Sequence, residues 1–379
     1  MTAAVPQALL RAELDFSTEL DDLIFAEVED SILNAPLATQ TALTQRFVHE
    51  QYRQQVQQCA QYAAFVQALA PGEAAESDLN RIPVIPTTAF KRSKVLSVPE
   101  SGIAKWCKSS GTKGLQSLIA RDRLSLERLL GSVRLGMGLI GDWYEHEVKV
   151  INLGPAQEEA GDIWISYVMS LVELLFDTDS TMNLDTAIAR VERALGEFEV
   201  VFLIGPPFMV NQLLDRLAEL GKVIAGADKL YVITAGGWKK HAGGMVSRPA
   251  LQEKMQAQLG MADMRQYRDC FNQVELNSVF FECDHHQKHI PPWVHAVARH
   301  PETLAALPDG ETGLLSFIDA SAISYPAFLV SDDVGVIRRG ACGCGREAVT
   351  VEIVRRVEGR ASRGCALVIE ALAEQANPS

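Results

Sequence analysis

Between Glu147 and Gly237, apolar runs of strand length alternate with stretches whose apolar residues recur every three or four positions, and this alternation constrains the fold more than any other feature of the chain. The runs EVKVINL from Glu147, EFEVVFLIG from Glu197 and KLYVITAGG from Lys229 read as buried strands. The stretches 123–140, 163–176, 185–195 and 208–220 read as helices. Strand and helix in turn predict an α/β fold in which a largely buried sheet is flanked by helices. Upstream, from Asp15 to about Ala70, helix spacing (Leu23, Ile24, Val28, then Phe47, Tyr52, Val56) predicts two or three opening helices. The breaker-rich stretch from Pro71 to Arg92 reads as an extended connection. After Asn277 the texture changes to short strands between Gly and Pro turns, as in GLLSFID, AFLVSD and TVEIVRRV. The expected division is a helical region at 1–80, an α/β core at 81–276, a β-rich subdomain at 277–360 and a short tail at 361–379.

The formal net charge of −13 opposes binding to a phosphate backbone, so nucleic acid is not an expected partner. No run reaches the roughly 20 apolar residues that a membrane span needs. The opening residues lack the basic-then-apolar pattern of a secretion signal, and a cytoplasmic setting is expected. Seven cysteines in 379 residues do not make a disulfide scaffold and leave thiols for metal or nucleophilic chemistry.

Residues 107–114, CKSSGTKG, follow a short apolar piece and precede the helical stretch from Arg121. Small residues let a backbone wrap closely round oxygen atoms, hydroxyl and N–H groups donate to phosphate, and a lysine adds charge. Ser109, Ser110, Gly111, Thr112, Lys113 and Gly114 are therefore candidate phosphate ligands. The run is neither a Walker loop nor GxGxxG, and an ordinary flexible loop is the other reading.

SSGTKG resembles the phosphate loop of the adenylate-forming superfamily, and three further segments match that superfamily in order. TAGGWKK from Thr234 resembles the glycine pair beside adenine, which implies nucleotide contact by Gly236, Gly237 and Lys239. FNQVE resembles the segment whose glutamate holds Mg²⁺, which implies that role for Glu275, although Asn272 and Val274 depart from the pattern. SDDVG places Asp333 where an aspartate clamps the ribose hydroxyls; paired aspartates capping a turn are the alternative. The resemblance thus implies ATP and Mg²⁺ as cofactors and a carboxylic acid as substrate, activated as an acyl-adenylate.

A second constellation is made of Cys283 and His289 in ECDHHQKH and Cys342 and Cys344 in CGCGR. Two close pairs of thiolate and imidazole suit tetrahedral zinc, and four protein ligands leave no open position, so a structural site is expected. His285 and His286 are alternative ligands. Phenylacetate-CoA-ligase-like members of the superfamily carry a similar arrangement.

PTTAFKR, GGWKK, HIPPW, DGETGLL and RGC resemble the long-chain acyl-protein synthetase family, the fatty-acid-activating component of bacterial luminescence, over roughly residues 80–370. That resemblance implies an acyl-accepting cysteine near the C-terminus, at Cys365, with Arg360 and Arg363 near enough in sequence to favour its thiolate. Cys107 is the rival nucleophile, and packing is the plain alternative for Cys365. Acyl transferase and reductase proteins are the implied partners, and homo-oligomerisation is left open. Only some twenty residues follow Gly359, too few for the lid domain that brings a lysine to the site in larger superfamily members. Two other functions stay open: a CoA ligase of aryl or short-chain acids, and a non-catalytic, zinc-stabilised partner subunit.

Overall fold

The computed structural model describes residues 18–69, 74–109, 116–141, 143–237 and 245–356. The chain opens with helices α1 (Glu19–Ile24), α2 (Leu37–Gln58), α3 (Ala60–Leu69) and α4 (Ala74–Ser77). Strand β1 (Ile85–Pro86), helix α5 (Ala89–Arg92), strands β2 (Lys105–Lys108) and β3 (Leu118–Arg121) and helix α6 (Arg123–Met137) follow. Strands and helices then alternate: β4 (Val148–Asn152), α7 (Trp164–Ser170), β5 (Asp177–Ser180), α8 (Leu184–Glu197), β6 (Val200–Gly205), α9 (Pro207–Glu219), β7 (Leu230–Ala235), α10 (Arg248–Leu259) and β8 (Tyr267–Phe271). The remainder is strand: β9 (Phe280–Phe281), β10 (Lys288–Ile290), β11 (Val294–Arg299), β12 (Thr312–Asp319), β13 (Phe328–Ala341) and β14 (Glu347–Arg356). These elements belong to two units. An α/β unit holds Arg134–Asn272 and Phe280–Lys288, and a β-rich unit holds 18–133, Gln273–Val279 and 289–356.

In the α/β unit the sheet order is β5-β4-β6-β7-β8-β9, parallel except for β9. Ile151, Leu203 and Val232 of the central strands pack with Val191 of α8, Leu213 of α9 and Met255 of α10, all buried. Helix entry follows local chemistry. Asn183 accepts from Thr186 N at 2.9 Å to cap α8, and Ser247 accepts from Ala250 N at 3.3 Å to cap α10. Strand β5, DTDS, carries no apolar signal because it is an edge strand held through charge: Lys149 Nζ reaches Asp177 at 2.8 Å and Asp179 at 3.3 Å.

The β-rich unit carries a sheet in the order β10-β14-β13-β12-β11, with β1 running parallel to β13, and a separate antiparallel β2–β3 hairpin. The hairpin corrects one expectation. The segment after Cys107 does not lead straight into a helix; it joins β2 to β3, and α6 begins only at Arg123. A four-residue strand, LIAR, is too short to display a period. The breaker-rich connection likewise contains the short helices α4 and α5 beside β1. No helix among the described residues is long and apolar enough to cross a membrane.

One face of α2 and strand β11 border a cavity of about 680 Å³, lined among others by His49, Asn80, His295, Asp309 and Arg339. None of the candidate site residues lines it. His295 Nε2 lies 3.1 Å from Asn80 Oδ1. Burial, together with the neighbouring charges of Arg339, Arg299 and His49, lowers the His295 pKa to about 3. The unfolded chain therefore binds a proton at this site between the ordinary histidine value and about 3, whereas the folded chain does not. Its contribution to stability is complete above that window and is lost as pH falls through it, at up to about 1.4 kcal/mol per pH unit. The urea midpoint of the wild-type protein should fall more steeply between pH 6.5 and 4 than that of His295→Gln; parallel curves would contradict the assignment.

Candidate active site

Within the β-rich unit the hairpin sets the ends of the candidate phosphate loop. Lys108 pairs with Leu118, Ser109 N donates to Ser117 O at 3.0 Å, Ser117 N donates to Ser109 Oγ at 3.0 Å, and Gln116 Nε2 donates to Ser109 O at 2.7 Å. Ser109 is thus the loop's first residue, with its hydroxyl engaged in closing the base. Ser110, Gly111, Thr112, Lys113 and Gly114 lie outside the described residues, as do Lys239, Arg360, Arg363 and Cys365.

Strand β3 ends at Arg121, whose side chain is fully buried. Its guanidinium donates to Asn277 Oδ1 at 3.0 Å, to the carbonyls of Val274 at 2.7 Å and Leu276 at 2.8 Å, and to Tyr325 Oη at 3.1 Å. Tyr325 O–H in turn donates to the Glu275 carbonyl at 3.3 Å. These bonds clamp both sides of Glu275, so the hairpin and the candidate magnesium ligand belong to one rigid construction. The departures from the family pattern have local causes. Val274 is buried in the β-rich unit, and Asn272, in the α/β unit, accepts from the Trp164 indole N–H.

Glu275 is itself buried. Desolvation raises its carboxyl above the usual range, with the Ser117 hydroxyl and the charges of Arg356 and Lys91 pulling the other way. Asp333 does not cap a turn; it sits within β13, paired in register with Arg356 of β14. Burial raises its pKa too, opposed by Arg356 and by the Ser331 hydroxyl, which donates to Asp333 Oδ2 at 2.8 Å. Ser331 Oγ also lies 3.3 Å from Gln273 Oε1, which links the Asp333 strand to the Glu275 segment. The segment PTTAFKR enters beside them: Pro86 pairs with Val330, and Thr87 Oγ1 donates to Asp332 at 3.3 Å. Lys91, Arg121 and Arg356 received no role from sequence reasoning. PTTAFKR was the available signal for Lys91, while the other two arginines sit in runs with nothing to distinguish them.

In the α/β unit β7 ends at Ala235 and the chain turns at Gly236, whose φ of +81° favours glycine; a Cβ there would also press on Ile165 at 3.3 Å. Gly237 has open space where a side chain would be. A bare turn at the C-terminal end of a parallel strand is where open α/β sheets receive ligands.

The predicted metal ligands lie on two turns. Cys342 and Cys344 occupy the β13–β14 turn, closed by Cys342 N to Arg346 O at 2.7 Å and by Gly345, with φ +87°. His289 of β10 presents Nε2 3.6 Å from Cys344 Sγ, and the donor atoms of His289, Cys342 and Cys344 lie within 4.8 Å of one another. Zinc bonds of about 2.3 Å to sulfur and about 2.0 Å to nitrogen at a tetrahedral angle put S and N about 3.5 Å apart, so the spacing fits. Cys283, fully buried, lies in the turn that leads into this strand, where its N–H donates to Gln287 O at 3.0 Å. The two alternative ligands have other engagements: His285 Nδ1 is 3.0 Å from Asp284, and His286 Nδ1 is 3.0 Å from Arg248. Cys107, the rival nucleophile, is fully buried on β2, and burial pushes the Cys270 thiol far above its ordinary range.

The fold is that of adenylate-forming ligases. A 2-hydroxyisobutyryl-CoA ligase in an open conformation superposes with a TM-score of 0.65 at 14% identity, over 86% of this chain and 76% of that one. The same ligase in its postadenylation state gives a TM-score of 0.67 at 13% identity, over 86% and 69% of the two chains. The particular family follows from sequence: residues 8–373 match the model of the acyl-protein synthetase family, LuxE, and the chain belongs to that family of ligases. It is 42% identical to the long-chain-fatty-acid–luciferin-component ligase of Vibrio harveyi over 96% of each chain. It is 45% identical to the protein of the same name from Aliivibrio fischeri, over 76% of this chain and 78% of that one.

If Arg121 holds the Glu275 segment as described, Arg121→Met leaves two backbone carbonyls and an amide oxygen without their donor. The cost is roughly 3 kcal/mol of unfolding free energy, read as a lowered urea midpoint at unchanged m-value; an unchanged midpoint would show that Arg121 does not hold the segment.

Proposed function

We propose that the protein uses ATP and Mg²⁺ to convert a long-chain fatty acid to its acyl-adenylate and then transfers the acyl group to the thiol of Cys365. The observation that carries this reading is the placement of Glu275: a buried carboxylate gripped on both sides by Arg121, with Ser117 at the base of the SSGTKG loop among its electrostatic neighbours. The names of the two relatives, both fatty-acid ligases, support the substrate class and the activation.

In this reading Lys113 and the loop hydroxyls draw the terminal phosphates into place, and Glu275 supplies the hard oxygen donor that Mg²⁺ prefers. Bound there, Mg²⁺ would supply screening of phosphate charge. Asp333 accepts from the ribose hydroxyls, and Gly236 and Gly237 lie against adenine. The fatty carboxylate attacks the α-phosphorus and pyrophosphate leaves. The Cys365 thiolate then attacks the acyl carbonyl, AMP leaves, and a thioester remains. Most of the protein's contribution is position and charge. Lys91 and Arg356, the cations acting on Glu275, also reduce the energetic penalty of keeping it ionised. Exchange of labelled pyrophosphate into ATP, dependent on a long-chain fatty acid, is the direct assay. Glu275→Gln should reduce the exchange about 100-fold, in line with the loss of one charge-stabilising group. Cys365→Ala should keep the exchange and abolish covalent acylation by labelled fatty acid; persistent labelling of that variant would exclude Cys365.

We also propose that Cys283, His289, Cys342 and Cys344 bind one structural zinc ion. Soft sulfur and imidazole donors select zinc over magnesium, and four protein ligands leave no open position, which suits a structural role. Elemental analysis should find about one zinc per chain, and chelation should lower the melting temperature without requiring any assay of activity. A metal-free protein with the same melting temperature would eliminate the site.

A further inference from the structure

In the α/β unit four charged side chains form a nearly closed set that the proposed reaction leaves unused. Glu282, 1% exposed, receives Arg248 through two bonds, Nη1 to Oε1 at 2.8 Å and Nη2 to Oε2 at 2.7 Å. Lys288 Nζ bridges Glu282 Oε1 at 2.8 Å and Asp269 Oδ2 at 2.9 Å, while Asp269 N donates to Glu282 Oε2 at 2.9 Å. Two cations and two anions cancel. The free oxygen of this array, Asp269 Oδ1, accepts from Thr234 Oγ1 at 2.7 Å. Thr234 and Asp269 are cross-strand partners on β7 and β8, and the Cys270 thiol donates to the Thr234 carbonyl at 3.4 Å. Tyr267 Oη lies 3.2 Å and the Arg268 carbonyl oxygen 3.4 Å from Thr234 Oγ1, and Arg248 lies over the Tyr267 ring at 4.7 Å from its centre.

Such an array is an expensive way to hold a fold together. Desolvating the ions consumes most of what their attraction returns, and apolar side chains of similar volume are often as stable. Its location offers another reason for it. Thr234 is the penultimate residue of β7, two residues before Gly236, at the strand end where open α/β sheets take ligands. A turn with φ of +81° and no side chain to pack has little of its own to fix its direction. The bonds made by Thr234 supply that direction, because the strand's last residues cannot twist without breaking the 2.7 Å bond to Asp269.

We propose that Asp269 is a positioning residue for the nucleotide base: anchored by Lys288 and, through Glu282, by Arg248, it fixes Thr234 and thereby aims the Gly236–Gly237 turn at adenine. This inference rests on the proposed reading of the turn as the adenine contact. Asp269 does not touch the nucleotide. Its effect is on the affinity for ATP and leaves the step in which the fatty carboxylate attacks phosphorus largely alone.

Pyrophosphate exchange on the full-length protein, with ATP and fatty acid varied separately, tests it. Thr234→Val keeps the volume and removes the hydroxyl, and Asp269→Ala removes the acceptor. Each should raise the KM for ATP about tenfold, the scale of one hydrogen bond to a charged group, with kcat within about threefold and the KM for the fatty acid unchanged. The double variant should be no worse than either single one, since both remove the same bond. Thr234→Ser, which restores the hydroxyl, should recover most of the affinity. An unchanged KM for ATP in Thr234→Val overturns the proposal, as does a parallel loss in both KM values and kcat, which would mark a merely structural role. If Asp269→Ala does not fold, the isosteric Thr234→Val still decides. Absence of any exchange in the wild-type protein would instead defeat the adenylation reading itself.

Discussion

A buried guanidinium organises the β-rich unit. Arg121 is completely buried; its Nε donates to an asparagine amide oxygen, and its Nη2 to two backbone carbonyls and a tyrosine hydroxyl. Each of these acceptors matters, because losing one leaves more of the desolvation cost of a buried ion uncompensated. The partners come from segments 153 to 204 residues away in sequence, so the bonds close long loops and specify one register. Moving β3 by a single residue would turn Arg121 to the opposite face of its strand and break every one of them. The position of Glu275 follows from this constraint, and with it the position of the loop base at Ser109 and Ser117.

Buried carboxylates occur in both units, and their surroundings differ. The β-rich unit holds carboxylates that burial pushes toward protonation, Glu275 and Asp333, each partly relieved by a cation that approaches from another strand or helix. Such groups favour a bound cation, whose charge replaces the solvent they have lost. The α/β unit does the opposite at Glu282: its arginine and lysine partners outweigh burial and hold the carboxyl far below its ordinary range. That carboxylate is already satisfied and has no charge to offer a ligand. The contrast separates groups suited to binding from groups suited to holding others in place.

The turns that carry the candidate metal ligands rest on backbone conformation. In CGCGR Gly345 adopts a backbone conformation that other residues avoid, and the turn closes through Cys342 N to Arg346 O and Gly345 N to Cys342 O. Three donor atoms are gathered by β10 and by the turn between β13 and β14. Sulfur and nitrogen at that spacing form a ready-made tetrahedral face.

The chain's alternation of apolar runs and helical periods determined the α/β architecture by itself, because buried parallel strands and amphipathic helices each bury a face that the local sequence must supply. Motifs read in order determined the family and most of the candidate residues for the same reason: chemistry needs particular atoms, and particular atoms leave a mark in the letters. Polar strands such as β5 and short ones such as β3 left no such mark, since pairing at an edge or inside a hairpin rests on backbone groups that every residue shares. Only the tertiary structure decided that Asp333 lies within a strand and not at a turn, that His285 and His286 have partners other than a metal, and that Arg121, Lys91 and Arg356 bear on Glu275. Those outcomes depend on which distant segments meet, and desolvation acts on a charge only once the rest of the chain has closed around it.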